Sequence, residues 1–190
     1  GRGPVSRFWL GSVADQLMRR LHLPILLLRS GPGCHTPSVL KKILVTLDGS
    51  AFAERALDAA LMLGRPFEAA YTLLMAIEVP LPIADPSGLM VIPVDPDAEK
   101  KVAAAARGYL DTQVARLRGL GVQATALPVE GHPAVEAIIA QTDQTGCDLV
   151  VIASHGAGGM ERLVVGSVAD KVIRGSTHPT LVVRPPKGAH

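Results

Sequence analysis

The stretch CDLVVIASHGAGGMERLVVGSVADKV (residues 147–172) combines a strand, a glycine-rich loop and the start of a helix. Its first eight residues are almost continuously apolar, which is the pattern of a strand covered on both faces of a parallel sheet. Gly166 and Ser167 then open a helix, which we expect to extend to about Arg174. Glycines permit close approach to a ligand, and a helix N-terminus offers free N–H groups and partial positive charge. The stretch therefore predicts either a phosphate-binding loop or an ordinary strand-to-helix turn.

The alternation of strands and helices continues on the N-terminal side of this stretch and beyond it. We predict strands within residues 41–50, 68–79, 122–129, 147–154 and 180–184, and helices over residues 51–64, 97–119, 133–146 and 167–174. Ser50 is expected to be the N-cap of the first of these helices. Residues 80–96, rich in proline, are expected to form a loop. This βαβαβαβαβ order predicts an α/β protein with an open, mostly parallel sheet and helices on both faces. Such sheets bind ligands beyond the C-terminal ends of their strands.

Composition excludes several classes of protein. Purely aliphatic runs such as Ile25–Leu28 are far shorter than the roughly 20 residues of a membrane-spanning helix. The net charge is +2, with lysines and arginines scattered along the chain, which argues against a nucleic-acid-binding face. The two cysteines, Cys34 and Cys147, have no C-x-x-C spacing, which argues against a zinc site or a disulfide scaffold and favours a reducing cytoplasm.

Candidate ligand-binding residues are sparse. Asp48 follows the first strand of the alternating pattern. It either caps the following turn or contacts a ligand at the point where the strand order reverses. His155 lies beside Ser154, but no acid is placed to orient that histidine, so we assign no catalytic residue. We assign no metal ligand either.

The spacing Ala153-x2-Gly156-x9-Gly166-Ser167 resembles the G-x2-G-x9-G-[ST] signature of the universal stress protein family, in its UspA-like, ATP-binding branch. Ala153 stands where the signature has its first glycine. The segments ILVTLDGS, LLMAIEV, EGHPAVEAI and GSVADKVIRGSTHPTLVVR also resemble conserved parts of that family. The resemblance extends from about Lys41 to Arg184.

This resemblance implies a Rossmann-like fold of the adenine nucleotide α-hydrolase type, with five parallel strands in the order 3-2-1-4-5. It also implies that ATP, with Mg²⁺, lies over the C-terminal ends of the strands. By this resemblance, Asp48 and the backbone near Ala76 would contact adenine and ribose. Ala153 and Gly156 would contact ribose and phosphate. The distal phosphates would be held by Gly166, Ser167 and Val168. A methyl group at position 153 is harmless if the backbone φ is negative there, and costly otherwise.

Three functional classes remain open at this stage. The first is a regulatory module that binds ATP. The second is an enzyme, either a slow ATPase or a protein that phosphorylates itself on Ser167. The third is an interaction module that binds no nucleotide. No lysine or second carboxylate is placed to act on a γ-phosphate, so we expect a regulatory protein rather than an enzyme.

The beginning of the chain repeats its end. Residues 7–29 match residues 162–184 at ten of 23 positions with a constant offset of 155, and Gly11-Ser12 repeats Gly166-Ser167. A chance match is the alternative to a true repeat. We interpret residues 1–30 as the last helix (about residues 12–21) and strand (residues 24–29) of a truncated preceding unit, 31–40 as a linker, and 41–186 as a complete unit.

The repeat also predicts a contact. The fifth strand of a 3-2-1-4-5 sheet is an edge, and TLVVR (residues 180–184) carries no proline or inward charge in its middle to protect it. The family resemblance implies that paired units join through their last strands. We therefore expect Ile25–Leu28 to pair antiparallel with Leu181–Val183, in a tandem arrangement within one chain or in a homodimer.

Overall fold

The computed structural model describes residues 14, 16–18, 21, 23–29, 31–78, 83–84, 91–92, 96–154 and 165–184. The strands are β1 (Ile25–Leu27), β2 (Lys42–Thr46), β3 (Ala70–Ile77), β4 (Ile83–Ala84), β5 (Val91–Ile92), β6 (Ala124–Glu130), β7 (Leu149–Ala153) and β8 (Thr180–Val183). The helices are α1 (Ala51–Gly64), α2 (Pro96–Gly119), α3 (Ala134–Thr145) and α4 (Ser167–Gly175), with a 3-10 turn at Arg65–Phe67.

One main sheet has the strand order β1-β8-β7-β2-β3-β6. All of its neighbours are parallel except the β1–β8 pair. The predicted order of the five parallel strands is therefore confirmed. The sheet has six strands rather than five because residues 25–27 add an antiparallel strand at its edge. Residues 80–96, predicted to be a loop, contribute the short antiparallel pair β4–β5.

Alternating side chains of the central strands point into two separate cores. Val45 and Val151 face α1 and α2, whereas Leu44 and Val150 face α3 and α4, and all four are fully buried. Coverage on both faces explains the continuous apolar runs of β2 and β7. No helix among the described residues is both long enough and apolar enough to cross a membrane.

Ser50 begins α1 and fixes the loop that follows β2. Its side-chain oxygen accepts a hydrogen bond from the Ala53 N–H at 3.1 Å, as predicted for the N-cap. The Ser50 hydroxyl donates to Asp48 Oδ1 at 2.6 Å, and the Ser50 N–H donates to the same atom at 3.0 Å. The carboxylate of Asp48 therefore lies over the first turn of α1.

The N-terminal segment (described residues 14, 16–18, 21 and 23–29) packs against the end of the chain. β1 pairs antiparallel with β8, with Leu26 opposite Leu181. Met18 is 1% exposed and belongs to the core on the α3–α4 face. The predicted contact between the two ends is therefore present within a single chain. Leu26 and Leu28, on the other face of β1, remain 50% and 71% exposed.

A cluster of two histidines and an aspartate holds part of the segment 31–40 near the N-terminal ends of the strands. The backbone N–H of His35 donates to the Thr177 carbonyl at 3.1 Å, and the ring Nε2 of His35 lies 3.3 Å from Asp148 Oδ1. The rings of His35 and His178 are 4.8 Å apart. The other carboxylate oxygen of Asp148 accepts hydrogen bonds from the backbone N–H groups of residues 41 and 42.

Burial and neighbouring charges shift the pKa values of two members of this cluster. Burial lowers the pKa of His178, and His35 lowers it further, whereas Asp143 and Asp148 act in the opposite direction. Burial acts to raise the pKa of Asp148, but the hydrogen bonds from Lys42 and Lys41 outweigh it and lower that pKa. The folded chain therefore favours a neutral His178 and an ionised Asp148.

The free energy of unfolding should fall as the pH drops below about 6.5, because the unfolded chain then binds a proton at His178 more readily than the folded chain does. Urea unfolding at a series of pH values measures this dependence. His178→Gln should flatten the profile in this window and leave the loss due to Asp148, which sets in only below its ordinary value of 3.8. An unchanged profile in His178→Gln would contradict the assignment.

Ser50→Ala should lower the free energy of unfolding by about 1 kcal/mol, because it removes the N-cap of α1. Ser50→Asn, which retains a capping oxygen, is the matched control and should stay within a few tenths of a kcal/mol of the native chain. Urea denaturation of both variants makes the measurement. Equal stability of Ser50→Ala and the native chain would show that the cap contributes nothing.

Candidate nucleotide-binding site

The register of the three central strands, β3, β2 and β7, brings candidate residues to the same level at the C-terminal ends of the strands, which we call the C-terminal edge of the sheet. Thr46 lies opposite Leu74, and Val45 lies opposite Val151. Extending these registers places Asp48 between Ala76 on the β3 side and Ser154 on the β7 side. The structure therefore brings two predicted site residues together beside the end of β7.

The N-terminus of α4 faces this same edge, because α4 returns antiparallel to the strands. Gly166 is its N-cap, with φ −57°, and no side chain among the described residues caps the helix. The Gly166 N–H donates to the Ser154 carbonyl at 2.7 Å, which ties the start of the helix to the end of β7. Ser167 is exposed and Val168 is half-buried. The first turn of α4 thus offers backbone N–H groups that no side-chain cap satisfies, an arrangement suited to an anion.

Ala153, the last residue of β7, has a negative φ, since Glu68 is the single non-glycine residue with positive φ in the described ranges. The residue pairs with Val183 and is 8% exposed, within the core on the α1–α2 face. The backbone conformation at position 153 therefore does not require a glycine. Gly156, the other candidate in this part of the signature, lies outside the described residues.

Asp48 is half-buried and its carboxylate accepts two hydrogen bonds from Ser50, so the capping role considered from the sequence is realised. This role leaves ligand contact by the same side chain open, since one carboxylate can accept several hydrogen bonds. We therefore place Asp48 both in the turn and at the candidate site.

A polar network joins α1 to α2, and the sequence analysis did not predict it. Glu54 Oε1 accepts hydrogen bonds from the Tyr109 hydroxyl at 3.3 Å and from Gln113 Nε2 at 3.1 Å. Burial, then Glu54 and Asp48, raise the pKa of Tyr109 to about 12. The network joins residues 55 and 59 positions apart, so no local sequence pattern reveals it.

The described residues contain no group of three or more histidine, cysteine or acidic side chains that could hold a metal ion. The oxygens of a bound polyphosphate are ligands that a divalent cation takes readily. The arrangement as a whole is suited to binding an anion by backbone groups.

Comparisons with known proteins agree with this geometry. The universal stress protein family model matches residues 40–184. The universal stress protein YxiE of Bacillus subtilis is 31% identical over 150 residues, which cover 77% of this chain and all of that protein. The universal stress protein Rv2005c of Mycobacterium tuberculosis is 29% identical over 97% of this chain, and the chain spans 59% of its length.

Solved structures show the same fold. The UspA protein of Lactobacillus plantarum has a TM-score of 0.64 at 22% identity, covering 78% of this chain and all of that one. A putative universal stress protein from Pseudomonas aeruginosa has a TM-score of 0.69 at 18% identity, covering 97% of this chain and 60% of that one. A universal stress protein solved in complex with cAMP has a TM-score of 0.55 at 23% identity, covering 78% of this chain and all of that one.

The match of the family model over most of the chain, together with the parallel sheet and the glycine-serine start of α4, leads to one conclusion: this chain belongs to the universal stress protein family.

Proposed function

We propose that this chain is a cytoplasmic regulatory protein that binds ATP, with Mg²⁺, at the C-terminal edge of its parallel strands. The observation that carries the proposal is the N-terminus of α4, which has a glycine as its N-cap and no side-chain cap from the described residues, and which lies at the same edge of the sheet as Asp48. An uncapped helix N-terminus beside a strand end is suited to a polyphosphate.

The proposed contacts are those that the family resemblance implies, and the positions of the described residues among them support the proposal. Asp48 and the backbone at Ala76 would contact adenine and ribose, because they lie on neighbouring strands at one level. Ala153, with its permitted backbone conformation, and Gly156 would contact ribose and phosphate. Gly166, Ser167 and Val168 would hold the distal phosphates: the Gly166 N–H is donated to the Ser154 carbonyl, so the N–H groups of Ser167 and Val168 would be the donors, with partial positive charge from the helix dipole. Mg²⁺, bound by phosphate oxygens, would neutralise part of the charge of the polyphosphate.

The residues proposed for this site support binding rather than catalysis. Asp48 Oδ1 accepts hydrogen bonds from the hydroxyl and the N–H of Ser50, which hold the carboxylate in the turn as a hydrogen-bond acceptor for a ligand. Phosphoryl transfer depends on positioned cations and a base or water-orienting group around the γ-phosphate. We accordingly assign regulatory binding to the site and no catalytic residue.

A second ligand is suggested by one structural neighbour, the universal stress protein solved with cAMP. The cyclic nucleotide shares adenine and ribose with ATP but has a single phosphate. Contacts from Asp48 and Ala76 would serve both ligands, whereas the α4 N-terminus would favour the longer phosphate chain. ATP is therefore our first choice, and cAMP is the alternative.

Gly166→Val should weaken ATP binding by at least about tenfold, because a branched side chain would stand where the backbone approaches the phosphates. The φ of −57° at Gly166 permits valine, so the fold should survive. Isothermal titration with Mg-ATP measures the affinity. Gly108→Ala, at an exposed position of α2 with open space around the added methyl, is the matched control and should bind like the native chain.

Titrations with cAMP and GTP identify the ligand class. Weaker binding of GTP than of ATP would support recognition of adenine, and tighter binding of cAMP than of ATP would favour the alternative ligand. No heat and no thermal shift with any nucleotide at millimolar concentration would overturn the proposal and favour an interaction module.

Phosphate release from ATP by the native chain should not exceed that by Gly166→Val, because the proposed site binds without catalysing. A phosphate assay over hours, with mass spectrometry of Ser167, makes the comparison. Release well above that of the variant, or a phosphate on Ser167, would show that the chain is an enzyme.

We also propose, from the repeat, that residues 1–30 belong to a preceding unit, that 31–40 link the units, and that 41–186 form the nucleotide-binding unit. The 59% coverage of the mycobacterial relative is consistent with this division.

A further inference from the structure

Residues 31–39, which precede β2, are held to the rest of the chain chiefly by one side chain. None of them is fully buried, and Cys34, His35 and Pro37 are half-buried. The hydrogen bonds that the structure describes between this segment and other parts of the chain all come from His35. A segment with few buried contacts opens at a low cost in free energy unless specific polar contacts hold it. Attachment of residues 31–39 therefore depends on what His35 contacts.

His35 packs against a second imidazole, that of His178. The two ring centroids are 4.8 Å apart, with an angle of 33° between the ring planes. The backbone N–H of His35 donates to the carbonyl of Thr177, so the segment is joined to the residues just before β8. His178 is 9% exposed. Movement of the segment away from β8 would therefore break both contacts and open His178 to water.

Three titratable groups act on His178, from three different parts of the chain. Asp143, near the end of α3, has its Oδ1 3.6 Å from His178 Nδ1, but its side chain is 65% exposed, so solvent screens the attraction. Asp148, just before β7, lies 3.3 Å from the ring of His35. Both carboxylates favour a charged His178, whereas burial and then His35 oppose the charge more strongly, so the pKa of His178 is lowered.

Displacement of residues 31–39 would remove both causes of this lowering. His178 would be hydrated and separated from the ring of His35, so its pKa would lie nearer its ordinary value of 6.5. The open form then binds a proton more readily than the closed form, and opening becomes more favourable as the pH falls below 6.5. Above that pH His178 is neutral in both forms, and the closed form is favoured.

We propose that His35 and His178 form an acid-sensitive latch: protonation of His178 releases residues 31–39 from the N-terminal ends of the strands while the sheet stays folded. Release exposes Cys34, which is half-buried in the closed form. The latch lies at the end of the sheet opposite the proposed nucleotide site, and this inference is independent of nucleotide binding.

Hydrogen exchange at the backbone N–H of His35, followed by NMR, tests the latch, because opening breaks its bond to the Thr177 carbonyl. Each rate is compared with that of an unstructured peptide of the same sequence at the same pH, which removes the pH dependence of the exchange chemistry. The resulting protection factor should fall by up to about tenfold per pH unit below 6.5, because opening takes up one proton.

The Val150 N–H, which donates to the Pro179 carbonyl within the sheet, is the internal control. It should be protected much more strongly than the His35 N–H at every pH, because local opening leaves the sheet intact. Equal protection at the two sites would show that the segment opens only with global unfolding and would overturn the latch. Absence of protection at His35 above pH 6.5 would overturn it as well.

His178→Gln should abolish the pH dependence of His35 protection between about pH 5 and 6.5, because glutamine takes up no proton in that range. His132→Gln, at an exposed histidine outside the cluster, is the matched control and should keep the native profile. A native slope in a folded His178→Gln chain would overturn the proposal.

Two further measurements decide the matter if His178→Gln does not fold. In His35→Ala, NMR titration should show the pKa of His178 raised toward 6.5, because the opposing ring is gone and water reaches the site. In the native chain, maleimide labelling of Cys34, relative to the unstructured peptide at the same pH, should accelerate as the pH falls, while the buried Cys147 stays unlabelled. An unchanged pKa of His178, or a relative labelling rate that does not rise, would overturn the latch.

Discussion

Parallel pairing of β2 with β7 is the constraint on which the rest of the structure depends. Parallel strands bring all their C-terminal ends to one edge, and each connection must return over a face of the sheet. The full burial of Val45 and Val151 shows that both partners are covered by helices. Asp48, Ser154 and the start of α4 meet at one edge as a consequence of this single pairing.

At the opposite edge of the sheet, where the strands begin, side chains join distant segments of the chain. There Asp148 accepts hydrogen bonds from the backbone at the start of β2, and His35 lies between Asp148 and His178. The two ends of the sheet therefore differ in chemistry. A helix N-terminus at the C-terminal ends of the strands suits an anion, whereas a carboxylate and imidazoles at the N-terminal ends join segments that are distant along the chain.

Particular residues show how far sequence reasoning extends. The alternation of apolar runs predicted an open, mostly parallel sheet, and Ser50 was predicted to cap α1, because both depend on local patterns. The order of the five parallel strands was implied by the family resemblance. The repeat, together with that resemblance, predicted the antiparallel contact of residues 25–28. In contrast, the contacts of Glu54 with Tyr109 and Gln113 were not predicted, because they join helices far apart in the chain. The short pair β4–β5 was not predicted, because the many prolines within residues 80–96 indicated a loop.

The sequence by itself determined the fold family, the periodicity of its elements and the glycine-serine start of α4, since each is written in residues close together along the chain. Only the tertiary structure decided that Ala153 has a negative φ, that Asp48 is engaged by Ser50, and that the N-terminal segment lies on β8 of its own chain. Backbone angles depend on the strand pairing around them, and an edge strand can accept any antiparallel partner. The packing of Met18 into the core on the α3–α4 face favours the strand of the same chain, and that packing becomes visible only in the folded structure.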